Sequence, residues 1–217
     1  MSDWCPQIRV VTPKARVAEW GFMDQVDDAS AVVKRSSTIP QPILGTHYTM
    51  PGLSDVERLL LVSDGTFTYQ LETLVRQPVG VEILSNQIAP LSPSDAQLLD
   101  CGEGTLVWAR ETLLRGGKSK AAYAYATSLI NDKGLDPEFR AELRVTQSGI
   151  GHLMAKYRMG AFRELLTYHF DTGPDYASYF RHNFRDGVFL SRTYRIIFEG
   201  RPIMVITENM PRDLFPR

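Results

Sequence analysis

The chain of 217 residues has few cysteines, no excess of either charge and no long apolar run, and each absence excludes a class of protein. Cys5 and Cys101 have neither CxxC spacing nor a neighbouring histidine, which favours reduced thiols in a cytoplasmic protein over a disulfide framework. Lys and Arg number 24 against 25 Asp and Glu, without a long run of one sign. We therefore predict a cytoplasmic globular protein that does not bind nucleic acid.

Metal-binding, membrane and secretion signals are also missing. The four histidines lack HxH or HExxH spacing, so we predict no metal site. The histidines are His47, His152, His169 and His182. No stretch approaches the roughly 18 apolar residues of a membrane helix, and the first residues lack the basic end and apolar run of a secretory signal. These observations predict a protein that does not insert into a membrane.

The chain does contain mixed helix and strand signals joined by short turns. Ser54 and Glu57 form a capping box before an apolar helical pattern, and Pro93 and Pro137 stand where two further helices would begin. Two β-rich runs meet at Glu199-Gly200, a strong hairpin signal. Residues 162–189 give mixed periodicity and fit either a strand or a helix. The pattern predicts a single antiparallel α+β domain over residues 51–217, preceded by an N-terminal arm at residues 1–50.

Two charged residues interrupt apolar rows in two of the predicted strands. In TLVWARETLL, Arg110 shares its row of alternate residues with apolar side chains. In the last strand, Glu208 occupies an equivalent position. The two rows are Leu106, Trp108, Arg110, Thr112 and Leu114, and Pro202, Met204, Ile206, Glu208 and Met210. Isolated buried charges are very unfavourable, so each side chain requires a partner or a ligand.

Three interpretations of Arg110 and Glu208 are open from the pattern alone. The two side chains form a buried salt bridge with each other, or the true strand register differs by one residue and both reach solvent. In the third, they stand apart across a cavity and hold a small, elongated anion. Arginine suits a carboxylate because it offers two parallel hydrogen bonds, and glutamate suits a hydroxyl at the other end.

Four segments in fixed order resemble the chorismate pyruvate-lyase (4-hydroxybenzoate synthase) family, in its branch from archaea, cyanobacteria and mycobacteria. They are LLLVSDGTFTYQLE, VWARETLL, IGHLM and RTYRIIFEGRPIMVITENMP, between Gly52 and Pro211. The resemblance implies one α+β domain whose antiparallel sheet and helices enclose an internal ligand cavity. It also implies a small-molecule substrate, chorismate, which is converted to 4-hydroxybenzoate and pyruvate without metal or cofactor.

The resemblance also assigns roles to residues. Arg110 corresponds to the family's arginine for the ring carboxylate, and Glu208 to its glutamate facing the 4-hydroxyl, so both are the expected catalytic residues. Backbone N–H groups of Phe67, Ile150 and Gly151 correspond to those that also bind the carboxylate. These five residues form the predicted substrate site.

The second carboxylate of chorismate, on the enolpyruvyl group, also needs a partner. Arg195 and His152 are candidates, although a structural role fits each of them as well. Tyr123 and Tyr125 either line the ligand cavity or simply pack in the sheet. The segments AYATSLI and IGHLM lack arginines found in the ubiquinone-pathway enzymes. This departure keeps open a related enzyme for another cyclohexadienyl or aromatic acid, or a non-catalytic aromatic-acid sensor or carrier.

Overall fold

The computed structural model describes residues 52–145, 149–172, 174–180 and 187–214, which form one α+β domain with an antiparallel sheet, as predicted. The predicted N-terminal arm, residues 1–50, lies outside them. The helices are α1 (Asp55–Val62), α2 (Phe67–Val75), α3 (Pro93–Leu98), α4 (Pro137–Val145) and α5 (Ile150–Lys156). The strands are β1 (Val79–Pro90), β2 (Leu106–Gly116), β3 (Ala122–Ile130), β4 (Ala161–Thr172), β5 (Val188–Phe198) and β6 (Arg201–Pro211). Short 3₁₀ helices cover Asp175–Phe180 and Arg212–Leu214.

Local side-chain caps explain where the helices begin. Ser54 and Glu57 form the predicted capping box at α1, where each side chain accepts a hydrogen bond from the other residue's backbone N–H. The Ser92 hydroxyl caps α3, and the Asp136 carboxylate accepts two N–H bonds at the start of α4. Thr66 precedes α2 but makes no side-chain capping bond. None of the helices in the described ranges is long and apolar enough to cross a membrane.

Within the described residues the sheet has six antiparallel strands in the order β1-β2-β3-β6-β5-β4. The turn at Glu199-Gly200 has positive φ at both residues, 50° and 74°, as a tight hairpin turn requires. In the ambiguous segment 162–189, residues up to Thr172 belong to the edge strand β4, and Asp175–Phe180 form a 3₁₀ helix. Residues 173 and 181–186 of this segment lie outside the described residues. Irregular pairing interrupts the ladder between Ile196 and Ile197 in β5.

One side of the sheet, here named the pocket face, carries Arg110, Ser128, Ile206 and Tyr194 in a row across β2, β3, β6 and β5. Helices α1 and α2 pack on one part of this face and helices α4 and α5 on another. The first cluster includes Leu60, Leu71, Leu114 and Met210, and the second includes Phe139, Leu153, Ile196 and Met204. Helix α3 and the 3₁₀ helix Asp175–Phe180 cover the other side, here named the far face.

Ion pairs fasten the α1–α2 pair to the sheet. The Arg212 guanidinium, just after β6, donates to both oxygens of the buried Glu57 carboxylate at 2.6 and 2.8 Å. Arg163 of β4 donates from Nη1 to the carbonyl oxygen of Asp64 at 2.6 Å, and its backbone N–H donates to the Asp64 carboxylate. The turn between the two helices is therefore held against the edge of the sheet.

Candidate active site

A pocket of about 50 Å³ lies between the pocket face and the first residues of α2 and α5. That volume is several times the ~10–15 Å³ that one water molecule occupies on the same measure. The helices contribute residues 66–68 and 149–151 to the lining. The sheet contributes Val81, Arg110, Thr112, Leu114, Ala126, Ser128, Arg163, Tyr194, Ile206 and Glu208. The two charges that stood out in the sequence therefore line the same pocket.

Arg110 and Glu208 are both buried, with 2% and 6% of their surfaces exposed. The register that would have left them in solvent is therefore excluded. Arg110 lies opposite Ser128, whereas Glu208 lies opposite Ala126, one row further along the pocket face. Strand β3 separates β2 from β6, so the two backbones are roughly 10 Å apart. Burial lowers the pKa of Arg110, but a guanidinium stays protonated in proteins.

Glu208 forms its ion pair with Arg192, its direct neighbour across the β5–β6 ladder. Arg192 Nε donates to Glu208 Oε2 at 2.7 Å, and Nη2 lies 2.7 Å from the same oxygen outside hydrogen-bond geometry. The Tyr194 hydroxyl donates to Oε1 at 2.8 Å. Burial and the Glu208 charge raise the pKa of Tyr194, so this hydroxyl remains a donor. The carboxylate is thus held at both oxygens.

Arg192 itself was not identified from the sequence. Its side chain is 1% exposed, and its Nη1 donates to the carbonyl oxygen of Leu60 in α1. Its guanidinium carbon stands 4.9 Å from the ring centre of Phe67 and 5.2 Å from that of Tyr194, as cation–π contacts. Arg192 therefore connects Glu208 to the helices that cover the pocket.

The predicted backbone donors lie where two helices begin. Helix α2 begins at Phe67, helix α5 begins at Ile150, and both residues line the pocket together with Gly151. The first N–H groups of a helix have no acceptor within the helix, and the positive end of the helix dipole favours an anion there. Binding of a carboxylate by these N–H groups remains a prediction.

Two glycines allow the helix starts to approach each other. A Cβ atom added to Gly151 would lie 2.5 Å from Thr66 Cγ2, and one added to Gly149 would lie 2.7 Å from Thr68 Oγ1. Real Cβ atoms do not approach heavy atoms this closely, so Thr66 and Thr68 or the helix starts that carry them would have to shift. Glycine at these positions is therefore part of the geometry of the pocket.

We predict that Gly151→Ala weakens aromatic-acid binding by about 10-fold, because typical overpacking costs 1–3 kcal/mol. The loss would occur although alanine favours helices over glycine. The matched control is Gly160→Ala, where an added Cβ meets no atom within 4 Å. Titration calorimetry with 4-hydroxybenzoate measures both variants. Unchanged affinity in Gly151→Ala would show that the close approach of α2 and α5 does not matter for binding.

Arg163 is a further pocket-lining arginine that the sequence did not single out. It lies in β4 opposite Ile196, and its side chain is 12% exposed. Nη1 is bound to the Asp64 carbonyl, with the Asp64 carboxylate 3.7 Å away. Nε is buried and has no hydrogen-bond partner among the described residues. The pocket thus has an arginine at either side of Glu208.

The two candidates for the enolpyruvyl carboxylate lie elsewhere. Arg195 follows Tyr194 and points to the far face, where it forms an ion pair with Glu164 of β4. His152 lies on α5, with its ring centre 4.3 Å from that of Tyr69. Neither is among the described residues that line the pocket.

The two tyrosines of β3 are also outside the described lining. The Tyr125 hydroxyl donates to Glu111 at 3.0 Å, and its ring stacks on Tyr176 at 4.7 Å. Tyr123 accepts a hydrogen bond from the Gln77 side chain. Both act in packing. Among the residues with described positions, no group of three or more His, Cys, Asp or Glu side chains is arranged to hold a metal ion.

Known structures share the fold. The effector domain of PhnF from Mycobacterium smegmatis matches with a TM-score of 0.53 and 13% identity, over 70% of this chain and 91% of that one. A GntR-family transcriptional regulator from Bacillus cereus matches with a TM-score of 0.51 and 12% identity, over 64% of this chain and 95% of that one. At such identities the similarity shows a common fold alone.

Sequence relatives are more informative. A chorismate pyruvate-lyase of Mycobacterium leprae (strain TN) is 27% identical over 158 residues, which cover 73% of this chain and 75% of that protein. A chorismate pyruvate-lyase of Mycobacterium tuberculosis (strain CDC 1551 / Oshkosh) is 28% identical over 160 residues, 73% of this chain and 80% of that protein. The sequence model of the family of Rv2949c-like chorismate pyruvate-lyases matches residues 61–215 of this chain. The chain therefore belongs to the family of Rv2949c-like chorismate pyruvate-lyases.

Proposed function

We propose that the protein converts chorismate into 4-hydroxybenzoate and pyruvate, with Arg110 anchoring the ring carboxylate and Glu208 the 4-hydroxyl. The observation that carries this proposal is that one pocket brings together Arg110, Glu208 and the first residues of α2 and α5. Membership of the lyase family supports the reaction.

The arrangement fits a flat ring with an acid at one end and a hydroxyl at the other. Arg110 offers two parallel N–H donors to a carboxylate, and the N–H groups at Phe67 and Ile150 add to them. Glu208 lies roughly two strand spacings away, and an ionised carboxylate has about four acceptor positions. Arg192 and Tyr194 fix both of its oxygens without exhausting those positions. A substrate hydroxyl is therefore recognised as a donor.

The reaction requires little chemistry from the protein. The bond between ring carbon C3 and the ether oxygen breaks, and the ring loses its hydrogen at C4. The electrons of that C–H bond complete the aromatic ring, while the departing enolpyruvyl group gains the proton and becomes pyruvate. The product is aromatic, so the reaction is strongly downhill. Catalysis then depends mainly on orienting the substrate and excluding water.

Two roles for Glu208 are compatible with this proton transfer. It either accepts the C4 proton and returns it to the enolpyruvyl group, or it holds the 4-hydroxyl while the proton passes within the substrate. Both parts require a carboxylate in a fixed position, which the bonds from Arg192 and Tyr194 provide. In both cases Glu208 contacts the substrate next to the reacting carbon.

The direct test is to incubate the purified protein with chorismate and no added metal. Pyruvate is then measured by a coupled assay and the hydroxybenzoate isomers by chromatography. Equal amounts of pyruvate and 4-hydroxybenzoate are expected. Pyruvate with another isomer would indicate a related lyase instead. Binding of 4-hydroxybenzoate by folded protein without either product would indicate a sensor or carrier.

A substitution separates catalysis from binding. We predict that Glu208→Gln lowers kcat by about 10²- to 10⁴-fold, the usual contribution of a positioned acid or base. The affinity for 4-hydroxybenzoate should change by less than about 10-fold, because glutamine keeps the shape and one acceptor oxygen. Steady-state kinetics and product titration measure the two quantities. Thermal unfolding serves as the control, and a protein that no longer folds would show that the ion pair with Arg192 is chiefly structural.

A further inference from the structure

We propose that Arg163 binds the second carboxylate of the substrate, on the enolpyruvyl group, an assignment that rests on the chorismate reaction proposed above. Arg163 would then be a positioning and specificity residue for substrates that carry two carboxylates. The inference follows from its place in the pocket, its available donor and the charges around it.

The position of Arg163 matches the shape of the substrate. Arg110 lies on β2 and Arg163 on β4, four strand spacings apart, or about 19 Å along the sheet. Glu208 lies on β6 between them. In chorismate the 4-hydroxyl is on C4, opposite the carbon that carries the ring carboxylate, and the enolpyruvyl ether is on the adjacent carbon C3. A ring anchored at Arg110 with its hydroxyl at Glu208 can present C3 on the side of β4, where Arg163 lies.

Arg163 has a donor that suits this ligand. Nη1 is engaged with the Asp64 carbonyl oxygen at 2.6 Å. Nε is buried in the described structure and lacks a hydrogen-bond partner there. Leaving a buried guanidinium donor without an acceptor is unfavourable. A carboxylate oxygen at this end of the pocket would supply that acceptor. The bond from Nη1 to the Asp64 carbonyl oxygen would keep the guanidinium in position for it.

The charges of the pocket also favour a dianion. Three charged residues line it in the described structure, and two of them are the arginines Arg110 and Arg163. Glu208 is paired with Arg192. Asp64 lies 3.7 Å from Arg163 Nη1 and is 56% exposed, so solvent weakens this pair. The lining therefore has a positive excess, which suits two carboxylates better than one.

Two ligands distinguish this role from a purely structural one. Chorismate carries both carboxylates, whereas 4-hydroxybenzoate carries only the ring carboxylate. We predict that Arg163→Met raises KM for chorismate by about 10- to 100-fold, the usual worth of a charge-assisted hydrogen bond. The inhibition constant for 4-hydroxybenzoate should stay within about 3-fold of its value in the unsubstituted protein, because Arg163 would not contact this ligand.

Matched substitutions serve as controls. Arg195→Met removes an ion-paired arginine from the neighbouring strand on the far face, so both constants should remain unchanged. Arg163→Lys keeps the charge and most of the stem but loses the planar donor edge. Its KM for chorismate should rise less than in the methionine variant. Its inhibition constant for 4-hydroxybenzoate should not change.

The outcomes are separable. An equal loss of chorismate and 4-hydroxybenzoate binding in Arg163→Met would show that Arg163 only holds the turn at Asp64, and an unchanged KM would also overturn the proposal. If the methionine variant does not fold, the same comparison is made with Arg163→Lys. If the unsubstituted protein releases no pyruvate, the proposed reaction fails. Titration calorimetry then tests Arg163 separately: Arg163→Met should weaken the binding of chorismate but not that of 4-hydroxybenzoate.

Discussion

Replacing Arg110 with alanine is expected to weaken 4-hydroxybenzoate binding by about 2–5 kcal/mol, a loss of about 30-fold or more. Arg110 is 2% exposed and lines the pocket, so its charge is shielded from bulk solvent. A carboxylate bound there would lose a pair of charge-assisted hydrogen bonds while remaining desolvated. The N–H groups at Phe67 and Ile150 would compensate for only part of the loss.

Titration calorimetry with 4-hydroxybenzoate measures the effect. Arg115→Ala is the matched control, because Arg115 lies on the same strand with its charge paired to Glu82 at the surface. Its substitution should leave binding unchanged. Arg110→Lys should give an intermediate loss, since lysine keeps the charge but not the parallel donors. An Arg110→Ala protein that is folded and binds with full affinity would place the anchor elsewhere.

Replacing Arg192 with methionine is expected to destabilise the fold by about 3–5 kcal/mol, the usual cost of removing one partner of a buried ion pair. Arg192 and Glu208 have side chains that are 1% and 7% exposed, so water cannot replace the lost guanidinium. The substitution also removes the donor to the Leu60 carbonyl oxygen and thus a link between the sheet and α1. Urea unfolding measures the free energy of unfolding.

A second substitution separates the charge from the packing. The double variant Arg192→Met, Glu208→Gln should recover part of the lost stability, because no uncompensated charge is then buried. Arg195→Met is the matched control from the same strand. Arg195 and Glu164 are 24% and 20% exposed, so solvent screens the remaining charge and the loss should be smaller. If Arg192→Met unfolds at the same urea concentration as the original protein, the ion pair does not support the fold.

The parts of the fold with local causes were predictable from the sequence. The capping box at Ser54 and Glu57 and the turn at Glu199-Gly200 both depend on residues within a few positions of each other. Strand β4 was ambiguous because an edge strand is only partly covered and its burial pattern alternates poorly. The rows containing Arg110 and Glu208 were predictable because alternate residues of a strand share a face.

The partner of Glu208 was not predictable, because it depends on an irregularity in the sheet. Counting back from the turn at Glu199-Gly200 without interruption pairs Glu208 with Ser191. That register also places Arg195, rather than Arg192, on the face of Glu208. Arg195, the candidate from the sequence, is therefore the arginine that regular pairing would place beside Glu208.

The irregular pairing between Ile196 and Ile197 skips Ile203 of β6 and shifts the register by one residue. The β5 residues before Ile197 therefore share a face with the opposite set of β6 residues from the one that regular pairing gives. Arg192 then lies opposite Glu208. Arg163 was missed for a different reason. Strand β4 precedes β5 by a long connection, so no turn fixes its register in advance, and its place in the pocket depends on the tertiary fold.

The arginine contacts that fasten α1 and α2 connect distant parts of the chain. Arg163 and Asp64 are 99 positions apart, Arg192 and Leu60 are 132 apart, and Arg212 and Glu57 are 155 apart. Contacts of such long range are gained only after a large loop has closed. During synthesis on the ribosome, α1 and α2 emerge before the described strands but find two of their three anchors only when β5 and the residues after β6 have been translated. The binding site is thus completed only after β6 has been translated, and a nascent chain that stops at β4 lacks Glu208 as well.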